Sequence, residues 1–360
     1  MDRPTVLLGM SGGVDSSVAA ALLVRQGYEV YGVTLQVWEH EDQTTAASKK
    51  WQERGCCKVG IAKYVAKTLR ISHEVVDARE TFRRGVIDDF LDGYAGGTTP
   101  NPCVRCNERV KIKGLIDLAR ARRIRHVATG HYARLHRSGG SPVLARSADL
   151  KKDQSYFLYR LDREWLPQLL FPLGGMQKTE VWREAEALGL PTEDMQESQE
   201  ICFVSQGDYR TFLERERPES RNPGPFVDEA GRYLGQHDGI AFYTPGQRRG
   251  LGIATGERLY VRRVQPSTNT IVVGREESLR RDHCDVSDLN LFKLSLLNHP
   301  TEAQVKVRYA TPATSVTLYP LNPSRLRIRF QESQKALSPG QSAVFYDNDV
   351  VLGGGIIQPD

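Results

Sequence analysis

Long apolar runs are missing from this chain of 360 residues. No stretch approaches the roughly twenty consecutive apolar residues that a membrane span needs, which argues against a membrane-spanning helix. The opening MDRPTVLLGM reaches only Val6-Leu7-Leu8 before turning to Gly and Ser, so no secretory signal is expected. Cysteine is scarce: six, with no framework spacing. That excludes a disulfide-stapled miniprotein and suggests a reducing compartment where thiols do chemistry. The expectation is a cytosolic protein without a membrane partner. No low-complexity tract or internal repeat is visible, and 32 Gly with 18 Pro is ordinary for a globular chain.

A strong charge of one sign is missing too. Lys plus Arg number 49 against 44 Asp plus Glu, a net +5, which says little about partners. The distribution says more. Between Asn101 and Arg137 there are ten Lys or Arg and two acids, while the last eighty residues carry eight of each sign. The basic stretch reads either as a solvated helix face or as a patch for a polyanion.

The first two hundred residues alternate strand and helix signals. Thr5–Met10, Glu29–Gln36, His73–Asp77 and His126–Thr129 read as strands. Helices are expected in Ser16–Gln26, Val59–Leu69, Phe82–Tyr94 and Arg109–Arg122, with a helix end at Arg183–Leu190. Such alternation predicts an α/β domain with a mostly parallel sheet. After about Gly207, helical periodicity fades. Ala303–Ala310, Ala313–Pro320, Ser324–Gln331 and Ser342–Asp347 alternate apolar and polar residues, as strands of a small antiparallel barrel would. Domains are expected at 1–207, 208–280 (small, central and β-rich) and 281–360 (the C-terminal β-barrel).

The most specific motif, Gly9-Met-Ser-Gly-Gly-Val-Asp-Ser-Ser17, lies between the first strand and the first helix. Gly12 and Gly13 let backbone N–H groups close around an anion, and the helix start adds unsatisfied donors and a positive dipole end. Asp15 is a candidate for holding Mg²⁺ or orienting water. The loop lacks the Gly-Lys-Ser/Thr ending of a Walker A motif and the spacing of a dinucleotide fingerprint. SGGVDSS resembles the PP-loop of ATP pyrophosphatases, which cut ATP between its α and β phosphates and so imply adenylation of a substrate oxygen.

Thr99-Pro-Asn-Pro-Cys-Val-Arg-Cys-Asn107 reads as a loop by its prolines. It sets Cys103 and Cys106 beside positive charge, where thiolates are favoured. By itself a C-x-x-C is half a zinc site, a redox pair or neither, and no second C-x-x-C is present. Cys202, in Ser198-Gln-Glu-Ile-Cys-Phe203, reads alone as a small buried apolar residue.

Together the stretches GMSGGVDSS, TPNPCVRCN, ATGHYAR, KDQSYFLY, LFPLG, ICF, TPGQRRGLG and SPGQSAVFYDNDVVLGGGII resemble the tRNA-specific 2-thiouridylases, in the family's order from residue 9 to 357. The resemblance implies an ATP-dependent sulfurtransferase that thiolates C2 of the wobble uridine of tRNA. It implies an ATP site at Gly9, Met10, Ser11, Gly12, Gly13, Val14, Asp15 and Ser16, with Leu35 and Gly130 on the adenine side. Cys106 falls on the family's attacking cysteine and Cys202 on its persulfide carrier, the two forming a transient disulfide. Contacts to the target base or tRNA fall on Asn101, Pro102, Cys103, His131, Lys152, Asp153, Gln154, Arg308, Tyr309 and Gln341. A sulfur donor protein, such as a cysteine desulfurase or a sulfur relay, is an implied partner. Cys103 stands where many members have Asp and acid–base work is assigned. That departure opens an alternative in which Cys103, Cys106 and Cys202 ligate an iron–sulfur cluster.

Other residues keep plainer readings beside these. Tyr309 shares an apolar strand face with Val305 and Val307, so barrel core competes with RNA contact. Arg325, Arg327 and Arg329 read as a solvated face. Cys56 and Cys57 read as one buried and one exposed thiol, and Cys284 has no motif. Two further functions compete: a PP-loop ligase using ammonia or an amine, which would need no thiols, and a non-catalytic RNA-binding module, which leaves the nucleotide loop unexplained.

Overall fold

The structure, a computed structural model, describes residues 3–38, 58–137, 140–195, 201–204 and 208–359. Cys56 and Cys57 lie outside the described residues. The chain divides into two compact units, residues 1–86, 103–207 and 349–351 in the first, and 87–102, 208–348 and 352–360 in the second.

The first unit is built on a parallel sheet of β1 (Thr5–Gly9), β2 (Glu29–Gln36), β3 (Ser72–Asp77), β4 (His126–Thr129) and β7 (Leu169–Leu170), in the order β3-β2-β1-β4-β7. Parallel strands are covered on both faces and read as continuous apolar runs; Val6, Leu7 and Leu8 of β1 are all fully buried. Helix α1 (Val14–Arg25) turns Val14, Val18, Ala19, Ala20 and Leu23 into the core, and α2 (Val59–Leu69) adds Ile61, Ala62 and Val65. Helix α7 (Lys178–Ala187) starts with a capping box between Gln177 and Glu180. It stops before Gly189, whose φ of +64° a side chain would resist. From β1 the chain steps outward to β2 and β3, then returns to the other side of β1 as β4. That reversal opens a crevice at the carboxyl ends of β1 and β4, where such sheets hold ligands. An antiparallel hairpin of β5 (Ala133–His136) and β6 (Val143–Arg146) follows β4 directly.

Between β3 and β4 the helices α3 (Arg79–Phe82), α4 (Asp88–Ala95), α5 (Pro102–Cys106) and α6 (Ile112–Ala121) are joined by two π-helical turns, Arg83–Ile87 and Asn107–Lys111. The Thr99–Asn107 stretch is therefore not a loop throughout. Pro102 opens α5, because at a first helical position its missing N–H costs no hydrogen bond and its fixed φ suits the helix. Cys103 and Cys106 consequently lie one helical turn apart, on one face.

In the second unit, α8 (Tyr209–Glu216) precedes a small sheet of β8 (Gly224–Val227), β9 (Tyr233–His237), β10 (Tyr260–Gln265) and β11 (Thr270–Gly274), ordered β10-β11-β8-β9. The last segment forms β12 (Arg280–Leu291), β13 (Thr301–Lys306), β14 (Thr314–Asn322), β15 (Arg325–Lys335), β16 (Ser342–Asp347) and β17 (Val350–Ile357). Their order is β12-β15-β14-β13-β16-β17, and β12 pairs with β17 to close the barrel. The α/β domain, β-rich centre and closed barrel match the expected architecture. Leu326, Ile328 and Phe330 point into the barrel while Arg325, Arg327 and Arg329 face out; Arg327 reaches Asp285 at 2.7 Å. Tyr309 corrects one reading. Strand β13 ends at Lys306, so Tyr309 lies in the turn beyond it, 37% exposed. The Lys306 ammonium sits 5.4 Å from its ring centre. Tyr309 is not barrel core.

Phe345 is fully buried in the barrel. Phe345→Ala is expected to cost about 3–5 kcal/mol, read as a lower urea midpoint. Arg325→Ala, at a solvated position, is expected to stay within about 0.5 kcal/mol of wild type.

Candidate active site

The loop after β1 is shaped to leave donors open. Gly13 caps α1 with extended backbone and no side-chain hydrogen bond, so no capping side chain covers the first-turn amides and the positive end of the helix. Ser16 Oγ donates to Gly13 O at 3.1 Å and Ser17 Oγ donates to it at 2.9 Å, while Ser11 N donates to Ser16 Oγ at 3.2 Å. Gly12 has φ +76°, and a Cβ there would fall 2.1 Å from Lys58 O. From β4, Gly130 approaches so closely that a Cβ would lie 2.7 Å from Ser16 N. Glycine at Gly130 is what lets the end of β4 and the start of α1 share the crevice. Met10 is buried beneath the loop and Leu35 is half-buried in β2.

Asp15, in the first turn of α1, gathers groups from two distant stretches. Tyr132, just after β4, donates its hydroxyl to Asp15 Oδ1 at 2.8 Å. Lys178, the first residue of α7, donates from Nζ to the same oxygen at 2.6 Å. The Lys178 side chain is buried, and its ammonium also faces the rings of Tyr132 and Trp182 at 5.5 and 5.4 Å. Its own N–H donates to Asp149 Oδ2 at 3.0 Å. Sequence reasoning missed both partners. Tyr132 was inside ATGHYAR, and Lys178 stands four residues beyond LFPLG, but nothing in either motif says that its side chain returns to residue 15.

The thiols lie in the same unit. Cys106 is buried on α5; Cys103, a turn earlier, opens to solvent from a recess whose walls crowd it with protein. That crowding pushes the Cys103 thiol up, the Lys111 ammonium pulls it partly back, and the Cys202 thiol adds to the rise. Cys103 is thus held as a neutral thiol at neutral pH. Lys111 also acts on His131, whose ring is held down to about 3, burial being the larger cause. Lys111 was part of the basic stretch by count alone, and only the fold sets it between these two groups. Cys202 is half-buried, fixed by its neighbour Phe203, whose ring packs edge-on against Phe82 at 5.7 Å and Trp38 at 6.3 Å. Glu108, two residues past Cys106, binds Arg105 at 3.0 Å and the buried Arg160 at 2.9 Å. Among the described residues, no three His, Cys, Asp or Glu side chains gather closely enough to hold a metal ion. An iron–sulfur cluster on Cys103, Cys106 and Cys202 therefore has no assembled ligand set and does not fit.

The expected tRNA contacts divide between the units. In the first, His131 Nδ1 hydrogen-bonds Thr129 Oγ1 at 2.7 Å. Gln154 Oε1 accepts from Tyr132 N at 2.9 Å. Asp153 is buried, its carboxylate accepting from Ser147 N, Ser155 N and Ser155 Oγ, so it shapes the segment that carries half-buried Lys152. In the second unit, Arg308 donates to Ala336 O. Gln341 donates from Nε2 to Thr99 O at 2.9 Å, next to Asn101 and buried Pro102.

Three family models match the chain. One described as the tRNA methyl transferase HUP domain covers residues 4–206, the tRNA methyl transferase PRC-barrel domain covers 210–275, and the aminomethyltransferase beta-barrel domain covers 281–357. The tRNA-specific 2-thiouridylase MnmA of Acetivibrio thermocellus is 42% identical over 99% of this chain and 100% of its own. That of Pelotomaculum thermopropionicum is 44% identical over 99% and 98%. A solved 4-thiouridine synthetase–RNA complex with bound ATP is 15% identical over 60% of this chain and 51% of its own, with a TM-score of 0.34, too slight a likeness to argue from.

With the His131 pKa lowered from its ordinary 6.5 to about 3, the neutral ring is favoured in the folded protein. The stability tied to it is complete above pH 6.5 and declines as pH falls toward 3. An NMR titration is expected to show the His131 ring neutral from pH 8 to 5, where an exposed histidine titrates.

Proposed function

The chain belongs to the tRNA-specific 2-thiouridylase family, and from that premise we propose how its residues place sulfur on C2 of the wobble uridine of tRNA. The full-length likeness to 2-thiouridylases decides the reading over the methyl-transferase wording of the domain descriptions; the nucleotide loop serves adenylation, which methyl transfer does not need. The observation that carries the ATP step is the uncapped start of α1 with Asp15 and Lys178 beside it. There the backbone donors of Gly9 to Ser16 and the Lys178 ammonium would offset phosphate charge, with Leu35 and Gly130 on the adenine side. Asp15 would hold the Mg²⁺ that accompanies ATP, using a carboxylate that Lys178 and Tyr132 already orient.

In the first step the uridine O2 attacks the α-phosphorus and pyrophosphate leaves. In the second, the terminal sulfur of a Cys202 persulfide attacks C2, and AMP leaves with the former O2. Cys106 as thiolate then attacks the Cys202 sulfur, releasing the 2-thiouridine and leaving a Cys106–Cys202 disulfide. An external thiol reductant resets it with two electrons. Both cysteines are needed, because one thiol cannot deliver sulfur and also cleave its own bond to it. The base must leave the anticodon stack to reach these groups. Asn101, Pro102, Cys103, His131, Lys152 and Gln154 are read as its surroundings, with Arg308, Tyr309 and Gln341 serving tRNA from the barrel and Asp153 acting through the segment it shapes. Cys103 is read as a proton donor or positioning thiol, since its raised proton affinity suits neither a nucleophile nor a metal ligand. Segments 1–207, 208–280 and 281–360 are read as the catalytic, central and barrel domains. The sulfur reaching Cys202 is read as coming from a cysteine desulfurase or a sulfur relay, in the cytoplasm. Among the described residues no helix is long and apolar enough to cross a membrane.

Two measurements test this. Asp15→Ala is expected to lower tRNA-dependent pyrophosphate release by about 10²-fold or more. Cys202→Ala should release pyrophosphate yet form no 2-thiouridine by mass spectrometry, while Cys106→Ala should stall with tRNA bound to Cys202 through sulfur. Thiolation by Cys202→Ala would overturn the scheme. Separately, log Kd for tRNA should rise linearly with log salt, and Arg120→Glu with Arg123→Glu should flatten that slope; both side chains are exposed. An unchanged slope would leave the basic stretch a solvated helix face.

A further inference from the structure

The second unit contains two turns of nearly the same sequence, Thr244-Pro-Gly-Gln247 and Ser338-Pro-Gly-Gln341. In each, the Gln N–H donates to the first residue's carbonyl, at 3.0 and 3.1 Å. Each glycine sits at positive φ, +88° at Gly246 and +89° at Gly340, as a type II turn with Pro then Gly at its centre requires. The tethers correspond as well: Gly246 N donates to Val261 O and Val261 N to Gln247 O, while Gly340 N donates to Ile357 O and Ile357 N to Gln341 O.

The two glutamines do different work. Gln247 folds onto its own turn, accepting from Thr244 N and donating to Arg249 O. Gln341 instead donates to Thr99 O at 2.9 Å and Pro100 O at 3.3 Å. Thr99 N donates to Pro339 O at 2.7 Å, and Thr99 Oγ1 donates to Thr244 Oγ1 at 3.2 Å. Gly340 is pressed against the same segment, where a Cβ would lie 2.9 Å from Thr99 N. Residues 98–101 have no regular secondary structure, and Pro100 and Pro102 have no N–H with which to fix the chain locally. What holds this segment is therefore the pair of turns.

We propose that the Ser338–Gln341 turn sets the conformation of the segment 98–101, making Gln341 a positioning residue for Asn101 and Pro102 rather than a direct contact to tRNA. This rests on the reading above, in which Asn101 and Pro102 meet the target uridine. A direct contact would spend the Gln341 amide on RNA; here it is already spent on two carbonyls of the segment leading into α5.

The test compares Gln341→Met, which keeps length but removes the donors, with Gln341→Lys, which keeps a donor of similar reach. Hydrogen exchange at the Thr98, Thr99 and Asn101 amides is expected to quicken about tenfold or more in Gln341→Met, and to return toward wild type in Gln341→Lys. Gln247→Met should leave it unchanged. With saturating tRNA and ATP, single-turnover thiolation by Gln341→Met should fall about tenfold while the Kd for tRNA stays within twofold. Unchanged exchange at 98–101 would overturn the proposal, as would a tenfold weaker Kd with a wild-type rate at saturation, the signature of direct contact. A wild-type protein that failed to thiolate tRNA would instead sink the functional reading, while the exchange result would stand.

Discussion

One carboxylate oxygen organises the nucleotide end of the first unit. Asp15 Oδ1 receives a hydroxyl proton from Tyr132 and an ammonium proton from Lys178, so the start of α1, the exit of β4 and the start of α7 meet at one atom. The pairing joins residues more than a hundred positions apart. A buried lysine charge is tolerable only with such a partner, and removing Asp15 would leave an uncompensated ammonium in the core. The same contact keeps α7 against the crevice, with its Val181 and Ala185 in the core shared with α1.

Around that point the backbone is arranged by exclusion. Gly12 and Gly130 occupy places where a side chain would collide with backbone, so the loop's shape comes from what is missing at those positions. The uncapped first turn of α1 follows from Gly13, which offers no side-chain acceptor to the amides above it. A serine or aspartate there would be a better cap and a worse anion site, because it would use the donors that a phosphate requires.

The thiol region obeys a different rule. Pro102 starts a helix instead of prolonging a loop, and the π turn at Asn107–Lys111 then carries Lys111 to where it acts on both Cys103 and His131. Burial makes His131 a neutral ring and Cys103 a reluctant acid, two groups that hold or pass protons without carrying charge into the recess. Phe203, wedged between Phe82 and Trp38, fixes the position of Cys202 by packing.

What the amino-acid sequence determined by itself was whatever depends on local pattern. The apolar runs of β1, β2 and β4, the amphipathic span Val59–Leu69 and the alternation of Leu326, Ile328 and Phe330 with their arginines were legible, because period and burial are properties of neighbouring residues. So was the glycine loop, whose function needs small residues in one short stretch. Tertiary structure alone decided the rest. It ended β13 before Tyr309, turned Pro102 into a helix start, buried Asp153, and spent the amide of Gln341 on Thr99 and Pro100. It also brought Tyr132 and Lys178 to Asp15. Hydrogen bonds and ion pairs between distant residues leave no periodic trace in a chain, since any donor of the right reach can be delivered by any element that the packing happens to place there.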